Sequence, residues 1–428
     1  MKKSDKSRAK LLRQFEQKQE VEYNKTVLDN GLRVISEKVP GVESFALGVC
    51  ANFGSRDEPD SMPGIAHFLE HACFRRTKNR TAREIASQLE SVGAYSNAFT
   101  TKELTCFYVR SLTKHFRKTL NILADISLNP VFQELDIKRE RSVILEEIKS
   151  YEDDPEEYIF DLGDLYLFGE NSFGNPILGT RDSIKKINAE VLEKYHSDRY
   201  SAANMVISAA GNIDHDRMVD NIHRHFGSLG RGKLHLREVP IRKNEPFREE
   251  LNKPFSQGHL LLGRRIPGLE SDLRYSIAIL NVLWGDGMSS RLYQNIRERK
   301  GLAYTVYSNT QIYSDCGAFY VYAATDEKNT AKTEKAIIEE MRKFATKKIS
   351  KSEFTRAREQ IKSGLVMELE SLSTRMQALA KNEFMLGRYE NIRSAIEIID
   401  EIKPGDIYAL GEKFLDPSTW SSIIMLPD

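Results

Sequence analysis

His67-Phe68-Leu69-Glu70-His71 follows a polar loop and the pair Pro63-Gly64, which predicts a helix over Ile65–Arg75. Residues four apart share a helix face, so His67 and His71 can each aim a ring nitrogen at one ion. Glu70, three residues after His67, lies on nearly the same face. A carboxylate there suits removal of a proton from a water held by the ion. Amide hydrolysis needs such help because bulk water is a poor nucleophile, and zinc lowers the pKa of a bound water to about 7. Two histidines, one carboxylate and a water form a normal catalytic zinc set. The same residue types in the mirror order, H-E-x-x-H, serve a well-known class of zinc proteases. The plain alternative is a pair of structural histidines on a surface helix.

A third, acidic ligand has to come from elsewhere. Glu140-Arg141-Ser142-Val143-Ile144-Leu145-Glu146-Glu147-Ile148 supplies candidates on an amphipathic helix predicted over Glu134–Ser150. Glu140 and Glu147 lie two turns apart on one face. Glu147 can bind the metal while Glu140 orients a histidine or Glu70. Glu146 points about 100° away from Glu147 and reads as solvated. Taken alone, a glutamate-rich helix is a charged surface.

Outward from this pair of helices, Asn30-Gly31 between Thr26–Leu28 and Leu32–Ile35 is a hairpin signal. Ser44–Phe53 reads as a buried strand, Glu103–Leu112 as an alternating strand and Asn204–Ala210 as a third. Thr81-Ala82-Arg83-Glu84 is a capping box whose helix should end at Gly93. The Glu134 helix is expected to continue past Pro155 with a kink. The charged, glycine- and proline-containing stretch 227–246 reads as a linker. It divides an N-terminal arm (1–22) and first domain (23–226) from a second domain (247–428). The second half repeats the first in outline: a strand (His259–Gly263), a helix (Leu273–Trp284), a second helix (Arg291–Arg299), a hairpin (Ala303–Tyr313, Ala318–Ala324) and a closing strand (Ser421–Met425). This pattern predicts an internal duplication of about 200 residues, each copy an α+β layer of sheet and helices.

Composition bounds the rest. The 428 residues suggest two or three domains. Apolar residues at 40% and charged residues at 29% exclude a disordered chain, a collagen-like repeat and a disulfide scaffold. A formal net charge of +1 gives no support for a nucleic-acid partner. No apolar run is long enough for a membrane span. Leu11, Leu12 and Phe15 lie at helical spacing among basic residues, but Asp5, Glu16 and Glu20 fit an ordinary arm better than a mitochondrial targeting helix. The scattered cysteines Cys50, Cys73, Cys106 and Cys316 are expected as reduced, buried thiols. A bacterial cytoplasm is the expected location, ahead of the mitochondrial matrix.

The sequence resembles the inverzincins, zinc peptidases with H-x-x-E-H. It is most similar to the pitrilysin and mitochondrial-processing-peptidase group in its short, two-domain bacterial form. The motifs that carry this are L-D-N-G-L-R-V (Leu28–Val34), G-S-R-D-E (Gly54–Glu58) and G-I-A-H-F-L-E-H (Gly64–His71). The resemblance implies one Zn2+ per chain on His67, His71 and Glu147, with Glu70 as base and Glu140 as its auxiliary glutamate. Ser96-Asn97-Ala98-Phe99-Thr100 is similar to the family's substrate-binding edge strand, with Asn97, Ala98 and Phe99 at the peptide and Phe74 bordering the site. Binding through the backbone suits a protease that accepts many sequences. Gly287–Tyr293 and Ile296–Glu298, leading to Gly301–Tyr304, resemble its remote catalytic segment. Arg297 and Tyr304 there are expected to hold the substrate carbonyl and its oxyanion.

The resemblance further implies half of a peptidase clamshell: two related domains, completed as a homodimer, or as a heterodimer with a related chain, around an unfolded peptide or presequence-like segment. Arg75-Arg76-Thr77 stands where the family often has Gly-Thr, which affects the loop beside Phe74 and not the zinc ligands. Trp284-Gly285-Asp286-Gly287 has fewer glycines than the loop of the non-catalytic mitochondrial partner, which favours a catalytic chain. The rivals are a non-catalytic subunit that presents peptides to a catalytic partner, and a protein with a purely structural metal.

Overall fold

The computed structural model describes residues 21–237, 245–346 and 348–428. All but the last two residues of the predicted arm lie outside them.

The first half builds six strands: β1 (Glu22–Val27), β2 (Arg33–Lys38), β3 (Ser44–Ala51), β4 (Tyr95–Thr100), β5 (Thr105–Leu112) and β6 (Met205–Gly211). The second builds β7 (Arg248–Lys253), β8 (Gly258–Pro267), β9 (Thr305–Ile312), β10 (Cys316–Thr325) and β11 (Ser421–Pro427). The sheets run β1-β2-β6-β3-β5-β4 and β7-β11-β8-β10-β9. β2 is parallel to β6 as β7 is to β11, and every other neighbour pair is antiparallel. Leaving out β1, which Asn30-Gly31 folds back as a hairpin on β2, the two sheets share one topology. The expected internal repeat is therefore present in strand order and direction. β4 and β9 are equivalent edge strands.

Seven helices position the features discussed below: α1 (Ile65–Cys73), α2 (Ala82–Glu90), α3 (Phe116–Leu128), α4 (Glu134–Asp153), α5 (Pro155–Phe168), α6 (Arg274–Trp284) and α7 (Leu372–Met385). The Thr81 box forms as expected, with Thr81 and Glu84 bonding each other's backbone amides. The kink expected at Pro155 is instead a break. Asp154 Oδ1 accepts from the amides of Glu156 and Glu157 and starts a new helix with Pro155 in its first turn. The helix expected over Arg291–Arg299 winds as a π-helix from Tyr293 to Arg299.

The halves exchange helices. α1 and α3 cover one face of the first sheet in a core that includes Phe45, Leu47, Phe68, Phe107 and Leu120. Its other face is covered by α7 from the second half, whose Met376, Leu379 and Ala380 pack on Ile35, Ala46, Cys50, Val206 and Ala210. β3 is buried on both faces for this reason, which explains its nearly unbroken apolar run. Gly48 has no side chain because Met376 occupies the space a Cβ would need. In return α5 leaves the first half and packs Ile159, Leu167 and Phe168 with Leu261, Tyr320 and Tyr322 of the second sheet. Tyr320 donates to the buried Asp164 of α5 at 2.7 Å. The other face of the second sheet carries its own core, with α6 supplying Ile277, Leu280 and Trp284.

The stretch expected as a linker is partly anchored. His235 Nε2 lies 3.0 Å from Asp57 Oδ1, and Arg237 donates to both Asp57 oxygens. One cysteine expectation is corrected. Cys50 and Cys106 are direct partners in the β3–β5 register and are joined as a disulfide, so only Cys73 and Cys316 are free thiols. Strand register decides this pairing, and cysteine spacing along the chain does not reveal it.

Candidate metal centre and active site

α1 begins at Gly64, whose φ of 90° is the left-handed conformation that glycine adopts without strain. A Cβ at Gly64 would also meet Leu178 O at 2.6 Å. The fully buried Glu58 accepts from the amides of Gly64 at 2.7 Å and Ala66 at 2.8 Å. It thereby satisfies donors that a helix start leaves free. Burial pushes its carboxyl up to about 8. The G-S-R-D-E segment thus anchors the helix that carries His67 and His71.

α4 crosses beside α1 and delivers Glu147. His67 Nε2 and His71 Nε2 each stand 3.9 Å from Glu147 Oε2. One ligand atom from each of the three lies within 4.8 Å of the others. A tetrahedral zinc with bonds of about 2.0–2.1 Å separates its ligand atoms by about 3.4 Å. Glu147 Oε2 stands only about 0.5 Å beyond that spacing from each ring nitrogen, and two imidazoles with one carboxylate are the donor types zinc takes, so the donor set fits zinc. His71 is oriented from behind: its Nδ1 lies 3.1 Å from Glu140 Oε2, while Arg75 Nε holds Glu140 Oε1 at 3.0 Å. Nδ1 therefore carries the proton donated to Glu140, which leaves Nε2, the nitrogen facing Glu147, as the one that can bind a metal. His67 Nδ1 is buried without a hydrogen-bond partner among the described residues.

Burial, helped by the neighbouring His71 ring, pushes His67 down to about 3 and keeps it neutral. Burial also works against a charge on His71. The Glu140 hydrogen bond and the nearby Glu70 and Glu147 carboxylates outweigh it, and the His71 pKa is raised. Burial raises Glu70 as well, with Glu147 adding to the shift and the Thr100 hydroxyl opposing it. Glu70 Oε2 accepts from Thr100 Oγ1 at 2.5 Å, at the end of the edge strand β4.

The other expected residues fall as follows. Phe74 caps the C-terminus of α1, with its ring 5.7 Å from Phe107. Asn97, Ala98 and Phe99 lie on β4, but side chains alternate along a strand. Ala98 packs with the core beneath α1, whereas Phe99 joins the cluster under α7, 6.2 Å from Tyr108. Asn97 is exposed on the same side as Phe99 and donates to Tyr95 Oη. Glu146 is exposed, as expected. Arg297 and Tyr304 meet each other, with the guanidinium 4.4 Å from the Tyr304 ring centre and 4.9 Å from that of Tyr293. Their contacts do not reach the group around His67. Arg76 and Thr77 bond Asp136 and Asp125, so the departure from Gly-Thr is absorbed by a packed loop.

Three contributors escape a reading of the sequence: Thr100, Arg75 and Glu58. Arg75 lies four residues after His71, a spacing that places it one turn on along the same face. Thr100 shares the alternation of Ser96 and Ala98. Nothing in the spacing of Glu58 points to the helix start.

A sequence model described as insulinase (peptidase family M16) matches residues 33–181, and one described as peptidase M16 inactive domain matches 186–361. A Mycobacterium leprae chain described as an uncharacterized zinc protease is 37% identical over 94% of this chain and 91% of its own length. The chain belongs to peptidase family M16. A Bacillus subtilis M16 relative, also described as an uncharacterized zinc protease, is 37% identical over 87% of this chain and 90% of its own. The M16 fold recurs in a protease from Helicobacter pylori, with a TM-score of 0.84 and 22% identity over 95% of this chain and all of that one. It recurs again in a Pseudomonas fluorescens structure described as a peptidase M16 inactive domain, with a TM-score of 0.88 and 18% identity over 95% and 98% of the two chains. His67, His71 and Glu147 all fall in the first matched segment, and among the described residues they are the only such group of metal-type donors. No helix among the described residues is long and apolar enough to cross a membrane.

Proposed function

We propose that this chain is a zinc metalloendopeptidase that hydrolyses peptide bonds in extended or unfolded peptides. The convergence of His67, His71 and Glu147, with Glu70 beside them and the edge strand β4 adjoining, carries this reading. Zinc, when bound, supplies an acidified water and a positive charge opposite the scissile carbonyl. Glu70 takes the proton from the attacking water and later delivers it to the leaving amine. Glu140 holds the His71 ring by its Nδ1 proton. The open edge of β4 receives the peptide as an added strand at Asn97, Ala98 and Phe99, with Phe74 bordering the scissile bond. Arg297 and Tyr304, already stacked as a pair, donate to the carbonyl oxygen as it gains charge, at the site of their own chain or at that of the partner copy. A second copy, or a related chain, closes the other side of the chamber in a bacterial cytoplasm.

The match of the second half to a domain described as inactive sustains one alternative, a subunit that presents peptides to a catalytic partner. Cleavage of a mixture of unstructured peptides separates the two. The purified chain is expected to cleave when zinc-loaded, to stop after chelation and to recover when zinc is restored. A folded, zinc-bound chain that cleaves nothing would overturn the catalytic reading in favour of the presenting one.

A further inference from the structure

The hydrogen bond that fixes the direction of Glu70 does not come from the metal-binding helices. The Thr100 hydroxyl reaches Glu70 Oε2 at 2.5 Å from the last residue of β4. Its proton has a defined destination. Among the described residues, the other group close to Thr100 Oγ1 is the Thr105 hydroxyl, 3.5 Å away, and Thr105 donates to the carbonyl of Phe53 at 3.2 Å. Thr105 is fully buried and sits directly opposite Thr100 in the β4–β5 register. A hydroxyl carries one proton. With the Thr105 proton engaged by Phe53, the Thr100 proton goes to the carboxylate.

The backbone around Thr100 is held equally firmly. Thr101 N donates to Leu104 O at 2.8 Å to close the β4–β5 turn. Lys102 Nζ, buried in that turn, donates to the carbonyls of Phe173 and Asn175. Glu103 accepts from Arg56 at 2.5 Å and from the amide and hydroxyl of Ser314, which lies between β9 and β10 of the second half. The turn is thus clamped from both halves, and Thr100 is clamped with it.

From this geometry we infer that Thr100 is a positioning residue for Glu70, and that it ties the orientation of the base to the strand on which the peptide pairs. The inference rests on the peptidase reading above. Side chains of Ser96, Ala98 and Thr100 share the face of β4 turned toward α1, so the strand that extends into the substrate also fixes the carboxylate one residue beyond the binding segment.

The test uses the full zinc-loaded chain with Thr100→Val, which keeps the shape and removes the donor, and Thr100→Ser, which keeps the donor. T100V is expected to lower kcat about 10–100-fold, the usual effect of losing such a supporting contact, with KM and zinc content unchanged. T100S is expected to restore turnover. In a Glu70→Gln background, T100V should add no further loss, because the two residues act as one unit. A crystal structure of T100V should show the Glu70 carboxylate turned from its present position, and that of T100S should show it in place. A T100V chain that turns over like the wild type, or that keeps Glu70 in place, would overturn this inference alone. Absence of zinc-dependent cleavage by the wild-type chain would instead overturn the peptidase reading and this inference with it.

Discussion

Glu140 holds His71: its Oε2 lies 3.1 Å from His71 Nδ1, while the opposite ring nitrogen, Nε2, stands 3.9 Å from Glu147. The carboxylate is buried and is fixed at its other oxygen by Arg75. It therefore sets which ring nitrogen of His71 is free to bind a metal. Removal of this contact by Glu140→Ala should weaken zinc affinity about 10–100-fold while leaving the fold intact. Competition with a zinc-sensitive dye measures it, and unchanged affinity would refute the orienting role.

Glu70→Gln separates binding from chemistry. Glutamine cannot accept the proton of the attacking water, and Glu70 is not among the three converging ligands. The variant should keep its zinc and lose about 10²–10⁴-fold in kcat. Metal analysis alongside peptide cleavage reads both. A variant that lost nothing would mark the metal as structural.

The two histidines should contribute unequally to the pH dependence of zinc binding. His67, pushed down to about 3, is already neutral across the working range. His71, with its pKa raised, still holds a proton at and somewhat above the ordinary histidine value. Zinc must displace that proton. Affinity should therefore be flat above the raised His71 pKa and fall about tenfold per pH unit below it, a slope of one proton and not two. Glu140→Gln removes the hydrogen-bonded carboxylate that favours the protonated ring, and should move the break to lower pH. Zinc titrations across the pH range give the slope directly.

Gly64→Ala tests the entry to the metal helix. Alanine is strained in a left-handed backbone and brings a methyl against Leu178 O and Gly179. A loss of about 2 kcal/mol or more is expected in chemical denaturation, with weaker zinc retention.

Glu103→Ala removes the acceptor that joins Arg56 of the first half to Ser314 of the second. Arg56 is left buried, with Asp315 still holding it at 2.8 Å. Breaking a buried pair in this way costs about 3–5 kcal/mol. The surviving Asp315 contact places the expected loss at the lower end, read from the denaturation midpoint.

The local elements and the residue types of the candidate metal site are legible in the chain alone. Helical spacing puts His67, Glu70 and His71 on one face, and two turns separate Glu140 from Glu147; both are properties of a single helix and need no tertiary information. The Asn30-Gly31 hairpin, the Thr81 box and the buried run of β3 are legible for the same reason. The repeat of strands and helices also shows, because each half satisfies the same local pattern. What the chain does not announce is which elements meet. An amphipathic helix states that it has an apolar face, but not which sheet will cover it, so nothing local reveals that α5 and α7 change sides. Register is likewise a property of two strands together. It alone places Cys50 opposite Cys106, and sets Thr100 against Thr105 so that its hydroxyl is left for Glu70. Side-chain contacts such as Arg75 on Glu140 and Glu58 at the start of α1 depend on distances between separate segments. Close packing of the two cores sets those distances, and they exist only once the chain has folded.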